Sequence, residues 1–204
     1  MDTLFSFDFD EQPVRVKSSE WYTPARYIEA AREVMGGIDL DPASSAIAQQ
    51  VVRATRFYTK EENGLALPWK AERVWLNPPY SSPDGTLGRL GSLKGSLKPF
   101  ILKVVEEYTS GNIQQAILLV NSDTDSSWFV PLWYYPICFA NHKVMFHRPG
   151  QKNEGQFFGT CFVYMGPHEQ KFVATFSTFG PVTRCISPLP VSSLPTLWDT
   201  EAVS

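Results

Sequence analysis

The chain has 204 residues, 43% hydrophobic, 19% charged and 14% aromatic, which is the make-up of a globular protein and excludes a disordered or fibrous one. Its formal charge is −3, but residues 1–12 hold Asp2, Asp8, Asp10 and Glu11 with no Lys or Arg, so the other 192 residues carry +1 and an anion-binding face has to be a local patch. Cys138, Cys161 and Cys185, an odd number with no CxxC, exclude a disulfide framework and a thiolate zinc site and suit a reducing cytoplasm. No apolar run reaches the roughly 18 residues that cross a bilayer. Met1–Glu11 lacks the basic and apolar regions of a signal peptide.

Residues 1–17 are expected to form an acidic arm, ahead of a domain over 18–186. Thr23 reads as an N-cap with Pro24 at the first helical position, and the helix should run through Met35 to the Gly36-Gly37 stop. Ile38-Asp39-Leu40 is a short strand ending at Asp41-Pro42. Ser44–Val52 reads as a helix, Arg53–Tyr58 as a short strand or link, and Arg73–Leu76 as a strand halted by Asn77-Pro78-Pro79-Tyr80. Residues 81–98, with four glycines and a tandem Gly-Ser-Leu-Lys, read as a flexible loop of charge +2 bearing Arg89, Lys94 and Lys98. Pro99–Tyr108 follows as an amphipathic helix, Gln115–Val120 as an apolar strand and Ser126–Tyr135 as a helix. Ile137–Ala140, Lys143–His147, Gln156–Tyr164 and Phe172–Phe176 read as strands, the later ones antiparallel, before a Pro/Ser-rich tail from Ser187. The pattern is that of an α/β protein, a mostly parallel open sheet with antiparallel edge strands. Ligands bind such sheets beyond the carboxyl ends of the strands.

Two of those ends carry unusual turns. In Asn77-Pro78-Pro79-Tyr80 the prolines remove two backbone donors, leaving the Asn77 amide oxygen and the Pro78 carbonyl as acceptors aimed at one place. A planar NH₂ group offers two matching donors, and Tyr80 adds an aromatic face for a flat heterocycle. A rigid Asn-Pro turn is the plain alternative. Asp39 and Asp41, two apart, face the same way along a strand. They fit contacts to the amino or ribose groups of a nucleotide-like cofactor, turn capping, or a metal pair. His142, His147 and His168 are all distant in sequence, which weighs against metal.

The segments Trp21-Tyr22-Thr23-Pro24, Ile38-Asp39-Leu40-Asp41-Pro42-Ala43-Ser44, Asn63-Gly64-Leu65 with Trp69, and Val74-Trp75-Leu76-Asn77-Pro78-Pro79-Tyr80, in that order, resemble the phage-type Dam-like family of DNA adenine-N6 methyltransferases. Phe129, Ile137-Cys138, Lys143-Val144-Met145-Phe146 and Phe172–Phe176 with Gly180 extend the likeness over residues 18–184. The resemblance implies a Rossmann-like methyltransferase fold using S-adenosylmethionine, with DNA as partner. It implies that Trp21, Tyr22, Thr23 and Pro24 contact the cofactor, with Thr23-Pro24 as the family's Thr-Pro motif near its methionine end. Asp41-Pro42 would be the acidic-proline motif, with Asp39, Ala43 and Ser44 also at the cofactor, Asn63 to Leu65 would lie near the cofactor's adenine, and Asn77 to Tyr80 would be catalytic, Asn77 touching the cofactor as well. Two departures stand out: Ala43-Ser44-Ser45 replaces the Gly-x-Gly of many methyltransferases, and Asn63 stands where an acid is common.

The reading is therefore methyl transfer to the exocyclic amine of a flipped-out adenine. Its rivals are transfer to cytosine N4 or to a glutamine side chain, and a catalytically idle nucleic-acid-binding protein. Candidate DNA contacts are Arg89, Lys94 and Lys98 in the loop, and Lys143 and Arg148 in residues 141–154, a segment of charge +2. Solvated loops are the plain alternative for both. A monomer is the default expectation.

Overall fold

The structure, a computed structural model, describes residues 22–80, 97–147 and 159–186. Helix α1 (Ala25–Met35) buries Tyr27, Ile28, Ala31 and Val34 and ends at Gly36, which takes a left-handed φ of 83° and donates its N–H to the Arg32 carbonyl. The chain then enters β1 (Leu40–Asp41), turns through the short α2 (Gln49–Val52) and returns as β2 (Arg56–Phe57). Strand β3 (Ala71–Leu76), helix α3 (Leu97–Thr109) and strand β4 (Ile113–Asn121) follow. After a 3₁₀ turn at Val130–Tyr134 come β5 (Ile137–Phe139), β6 (Thr160–Met165), α4 (Glu169–Phe176) and β7 (Val182–Thr183).

The seven strands form one sheet in the order β2-β1-β3-β4-β6-β5-β7. The first four are parallel. Strand β6 runs antiparallel to both β4 and β5, and β7 antiparallel to β5. Ala116 to Val120 of β4 are completely buried, as expected of a strand covered on both faces. One face packs under α3 and the 3₁₀ turn through Val74, Leu76, Leu118, Ile101 and Phe129. The other packs under α1 and α4 through Trp75, Ile117, Leu119, Phe162 and Phe176. The α/β class and the antiparallel half are as the sequence predicts.

Several elements differ from expectation. Phe172–Phe176 is the end of helix α4, not a strand: Phe172 and Phe176, four apart, are buried on one helical face while Ala174 is exposed. Lys143–His147 forms no named strand; its end carries isolated bridge residues at Phe146 and His147, the latter paired antiparallel with Tyr22. Helix α3 begins at Leu97, so Lys98 lies on an exposed helical turn; Pro99 fits the first turn, where its missing N–H would have no partner. The helix expected over Ser44–Val52 shrinks to Gln49–Val52, because Ser44 donates its N–H to the Tyr58 carbonyl and Ser45 Oγ takes the Ala48 N–H. Strand β7 was not expected. The N-terminal arm, most of the 81–98 loop, the start of the Gln156–Tyr164 strand and the Pro/Ser tail lie outside the described residues.

Candidate active site

Strand β1 has β2 on one side and β3 on the other, so the chain leaves β1 in one direction and returns across it. That is a topological switch point, the place where open α/β sheets bind ligands beyond the strand ends. Parallel pairing of Leu40 with Val74 sets the turn after Asp41 beside the turn after Leu76.

In the first turn, Asp41 is 3% exposed. Its Oδ2 accepts from Gln49 Nε2 at 3.0 Å and its Oδ1 from the Ala43 N–H at 3.4 Å. Gln49 Nε2 also donates to Ser44 Oγ at 2.7 Å, while Gln49 Oε1 takes the Ala54 N–H at 2.8 Å. Gln49 thus staples the whole β1–α2 turn, a role the sequence does not betray. Burial raises the Asp41 carboxyl to about 6, against the opposing pull of Ser44, Ala43 and Gln49.

The Asn63-Gly64-Leu65 segment closes on this turn. A Cβ on Gly64 would stand 2.0 Å from the Pro42 carbonyl oxygen, so the two backbones meet only because this residue is glycine. Asn63 sits at φ 55°, and its Oδ1 accepts the Leu65 N–H at 3.3 Å. Trp69 Nε1 donates to the Gly64 carbonyl at 2.7 Å, and Lys103 Nζ from α3 donates to the Leu65 and Leu67 carbonyls.

In the second turn, Asn77 Nδ2 donates to Thr23 Oγ1 at 3.2 Å. Asn77 Oδ1 is buried with no partner. Trp128 Nε1, on the segment that follows β4, is the other orphaned buried polar atom among the described residues. Both lie on segments that leave the carboxyl ends of neighbouring strands, and an unmet buried polar group is a costly feature that structure rarely keeps without use. Pro78 is buried, Pro79 exposed, and Tyr80 half-buried against the α3-side core. The Tyr80 hydroxyl donates to the Leu119 carbonyl at 3.0 Å, and burial pushes its pKa up. The ring is therefore anchored at its polar end.

Two expectations are corrected. Thr23 does not cap α1: Pro24 occupies the cap position, and the Thr23 hydroxyl is turned to Asn77 instead. Asp39 does not share a site with Asp41: both its oxygens are taken by Arg73, with Nη2 at 2.7 Å, Nε at 3.0 Å and the Arg73 backbone N–H at 2.9 Å. Its carboxylate is committed to joining β3 to the segment entering β1. Lys143 is exposed, as is Lys98. Trp21, Arg89, Lys94 and Arg148 lie outside the described residues. Among the described residues no three His, Cys, Asp or Glu side chains gather as a metal site, and no helix is long and apolar enough to cross a membrane.

The family model of DNA N-6-adenine-methyltransferase (Dam) matches residues 12–172. The chain belongs to this family. A DNA N-6-adenine-methyltransferase of Escherichia phage T1 is 33% identical over 110 residues, covering 53% of this chain and 38% of the relative. One from Haemophilus phage HP1 is 26% identical over 110 residues, covering 53% of each. The matched stretch thus spans about half or less of these curated relatives. No solved structure gives a significant match. The Dam-family match runs through Thr23, the Asp41 turn, Asn63 to Leu65 and Asn77, the residues the fold gathers at the switch point.

Proposed function

We propose that this chain transfers a methyl group to the N6 amine of adenine in DNA, on a Rossmann-like scaffold that uses S-adenosylmethionine. One observation carries the reading: the buried, unpartnered Oδ1 of Asn77, its amide nitrogen already tied to Thr23, at the switch point of a Dam-family sheet. An acceptor held in that state is suited to a substrate N–H. Paired with the Pro78 carbonyl it accepts both hydrogens of an exocyclic amine, which keeps the nitrogen lone pair off the ring and directed at the electrophile. S-adenosylmethionine, when bound, supplies an electrophilic methyl carbon.

The residues present fit that cofactor. Asp41 is a buried carboxylate at the end of β1 with no Lys or Arg partner, suited to a hydroxyl- or amine-bearing ligand. Thr23 and Pro24, Asp41 to Ser44, and Asn63 to Leu65 would hold it. An adenine inside a duplex cannot reach this site and has to be flipped, at a cost of a few kcal/mol. Stacking on a rigid aromatic such as Tyr80 offsets about 1–3 kcal/mol of that cost.

The test is incubation of the full chain with methyl-labelled S-adenosylmethionine and duplex DNA, followed by nucleoside mass spectrometry. Label in N6-methyl-2′-deoxyadenosine is the expected result. Label in N4-methyl-2′-deoxycytidine, or no transfer to DNA at all, would overturn the reading.

A further inference from the structure

The first turn of α1 and the segment after β5 form one continuous wall beside Asn77. Tyr22 and His147 exchange both backbone hydrogen bonds at 2.9 Å, one residue from Thr23, which holds the Asn77 amide. One helical turn on, Tyr27 Oη meets His142 Nε2 at 2.7 Å and accepts a hydrogen bond from Arg26 Nη2 at 2.5 Å. The Arg26 guanidinium also stacks over the Tyr27 ring, 4.6 Å from its centroid. His142 Nδ1 meets Asn141 Oδ1 at 2.9 Å. Tyr27, His142 and Asn141 are thus joined side chain to side chain, with Arg26 held at the Tyr27 end.

The row has a charge that nothing in it neutralises. Arg26 and Lys143 are exposed and form no ion pair among the described residues. Residues 22–28 and 137–147 contain no Asp or Glu. The acids of the loop after β4, Asp123 and Asp125, belong to a segment whose Trp128 and Phe129 pack into the α3-side core, whereas Tyr27 and Val144 pack into the opposite one. Tyr27 fixes the Arg26 guanidinium at one edge and leaves its other N–H groups outward. A planar fork so held matches the oxygens of a phosphodiester.

We propose that this wall, with Arg26 and Lys143 as its cations, carries the phosphate backbone of DNA on the α1 side of the target base. The proposal rests on the reading of the chain as a DNA methyltransferase and adds where the duplex lies. Its contacts are to phosphate, so they set affinity and salt dependence rather than sequence choice.

The experiment is fluorescence anisotropy of the full chain with a labelled mixed-sequence duplex across a range of salt concentrations. Arg26→Ala and Lys143→Ala are each expected to flatten the log–log salt slope by about 0.9 and to weaken binding at fixed salt. Arg26→Lys should restore most of the slope, which separates charge from any loosening of Tyr27. Lys171→Ala, near the start of α4 and outside the row of residues that forms the wall, should leave the slope unchanged. Unchanged slopes in both alanine variants would overturn the proposal, as would a wild-type chain that does not bind DNA. A wild-type chain that binds with the expected slopes yet transfers no methyl group would overturn the enzymatic reading and leave the wall standing.

Discussion

Two carboxylates, Asp39 and Asp41, stand two residues apart and meet opposite fates. Asp39 accepts three hydrogen bonds from Arg73, with opposite charge beside it and solvent near both partners. Asp41 is buried, has only neutral donors, and has its carboxyl raised to about 6. The same division runs through the neighbouring strand. On β3, Arg73 is fully engaged, while four residues on Asn77 keeps an acceptor buried and unmet. Polar groups short of the strand ends are satisfied by the protein and hold it together; those at the carboxyl ends are left incomplete. Incompleteness that folding tolerates there is what a ligand can complete.

The strongest way to break this contrast is at Asn77. Asn77→Ala removes the unmet acceptor and should lower the methyl-transfer rate 100- to 1,000-fold, as loss of other positioned transition-state groups does. Binding of S-adenosylmethionine, followed by calorimetry, should persist. Thermal stability should not fall by more than the one Thr23 hydrogen bond, since the orphaned oxygen leaves with it. Turnover within a few-fold of wild type would show that the incomplete group serves no chemistry.

Asp41 offers the next largest effect, in stability rather than rate. In the folded chain its carboxyl holds a proton up to about pH 6, whereas the ordinary carboxyl releases it near 3.8. Between those values the native state binds more protons than the unfolded one, so stability contributed by this group is fully present below pH 3.8 and is lost as pH rises through 6. The loss amounts to about 3 kcal/mol at most. Asp41→Asn removes the titration. Denaturant melts of both proteins should show the variant gaining on the wild type by up to that amount between pH 3.5 and pH 7, while its affinity for S-adenosylmethionine falls. A stability difference that stays constant with pH would mean that Asp41 is not held in the incomplete state described.

How much of this was legible beforehand follows from where each residue's partner lies. The α1 stop at Gly36-Gly37, the apolar β4 and the proline turn after β3 announce themselves in local chemistry, and all three stand where the sequence puts them. Phe172–Phe176 was open to misreading because Phe172, Ala174 and Phe176 satisfy a period of two while Phe172 and Phe176 satisfy a helical turn; packing against α1 decides, and β-prone side chains do not. Thr23 before Pro24 has the chemistry of a cap, and only Asn77, 54 residues away, explains why it is not one. Asp39 and Asp41 look alike on paper. What separates them is Arg73, 34 residues beyond Asp39 and invisible to any motif. Gln49 and the Tyr27–His142 row escaped for the same reason: their partners are assembled by the fold.

Asp39 supplies the complementary experiment, in which a satisfied group is broken. Asp39→Ala leaves the Arg73 guanidinium with the Gly36 carbonyl alone and deprives the Arg73 N–H of its acceptor. Hydrogen bonds to charged groups contribute about 1.5–3 kcal/mol, so a loss of about 2 kcal/mol in unfolding free energy is expected. Affinity for S-adenosylmethionine should be unaffected under conditions where the variant is folded. A variant of wild-type stability with weakened cofactor binding would move Asp39 to the other side of the comparison and return it to the site.

The smallest effect is the most discriminating, because it concerns how the incomplete group is aimed. The hydroxyl of Thr23, a residue 8% exposed, accepts from Asn77 Nδ2, and that one bond decides which end of a nearly symmetric amide faces away from Thr23. Thr23→Val keeps the shape and removes the anchor, so the amide can rotate and present its NH₂ where the carbonyl oxygen is needed. A neutral hydrogen bond is worth about 0.5–1.5 kcal/mol, so kcat should fall by roughly 3- to 10-fold. Thr23→Ser, which keeps the hydroxyl, should restore most of it. The family resemblance places Thr23 near the methionine end of the cofactor, and a residue acting there would show itself as weakened S-adenosylmethionine binding at unchanged kcat. The two roles also separate without turnover: the Asn77 side-chain NH₂ protons, observed by NMR, should exchange with water more slowly in the wild type and Thr23→Ser than in Thr23→Val. A lower kcat in Thr23→Val at unchanged cofactor affinity assigns the residue to the amide, and identical NH₂ exchange in all three proteins would remove it from that role.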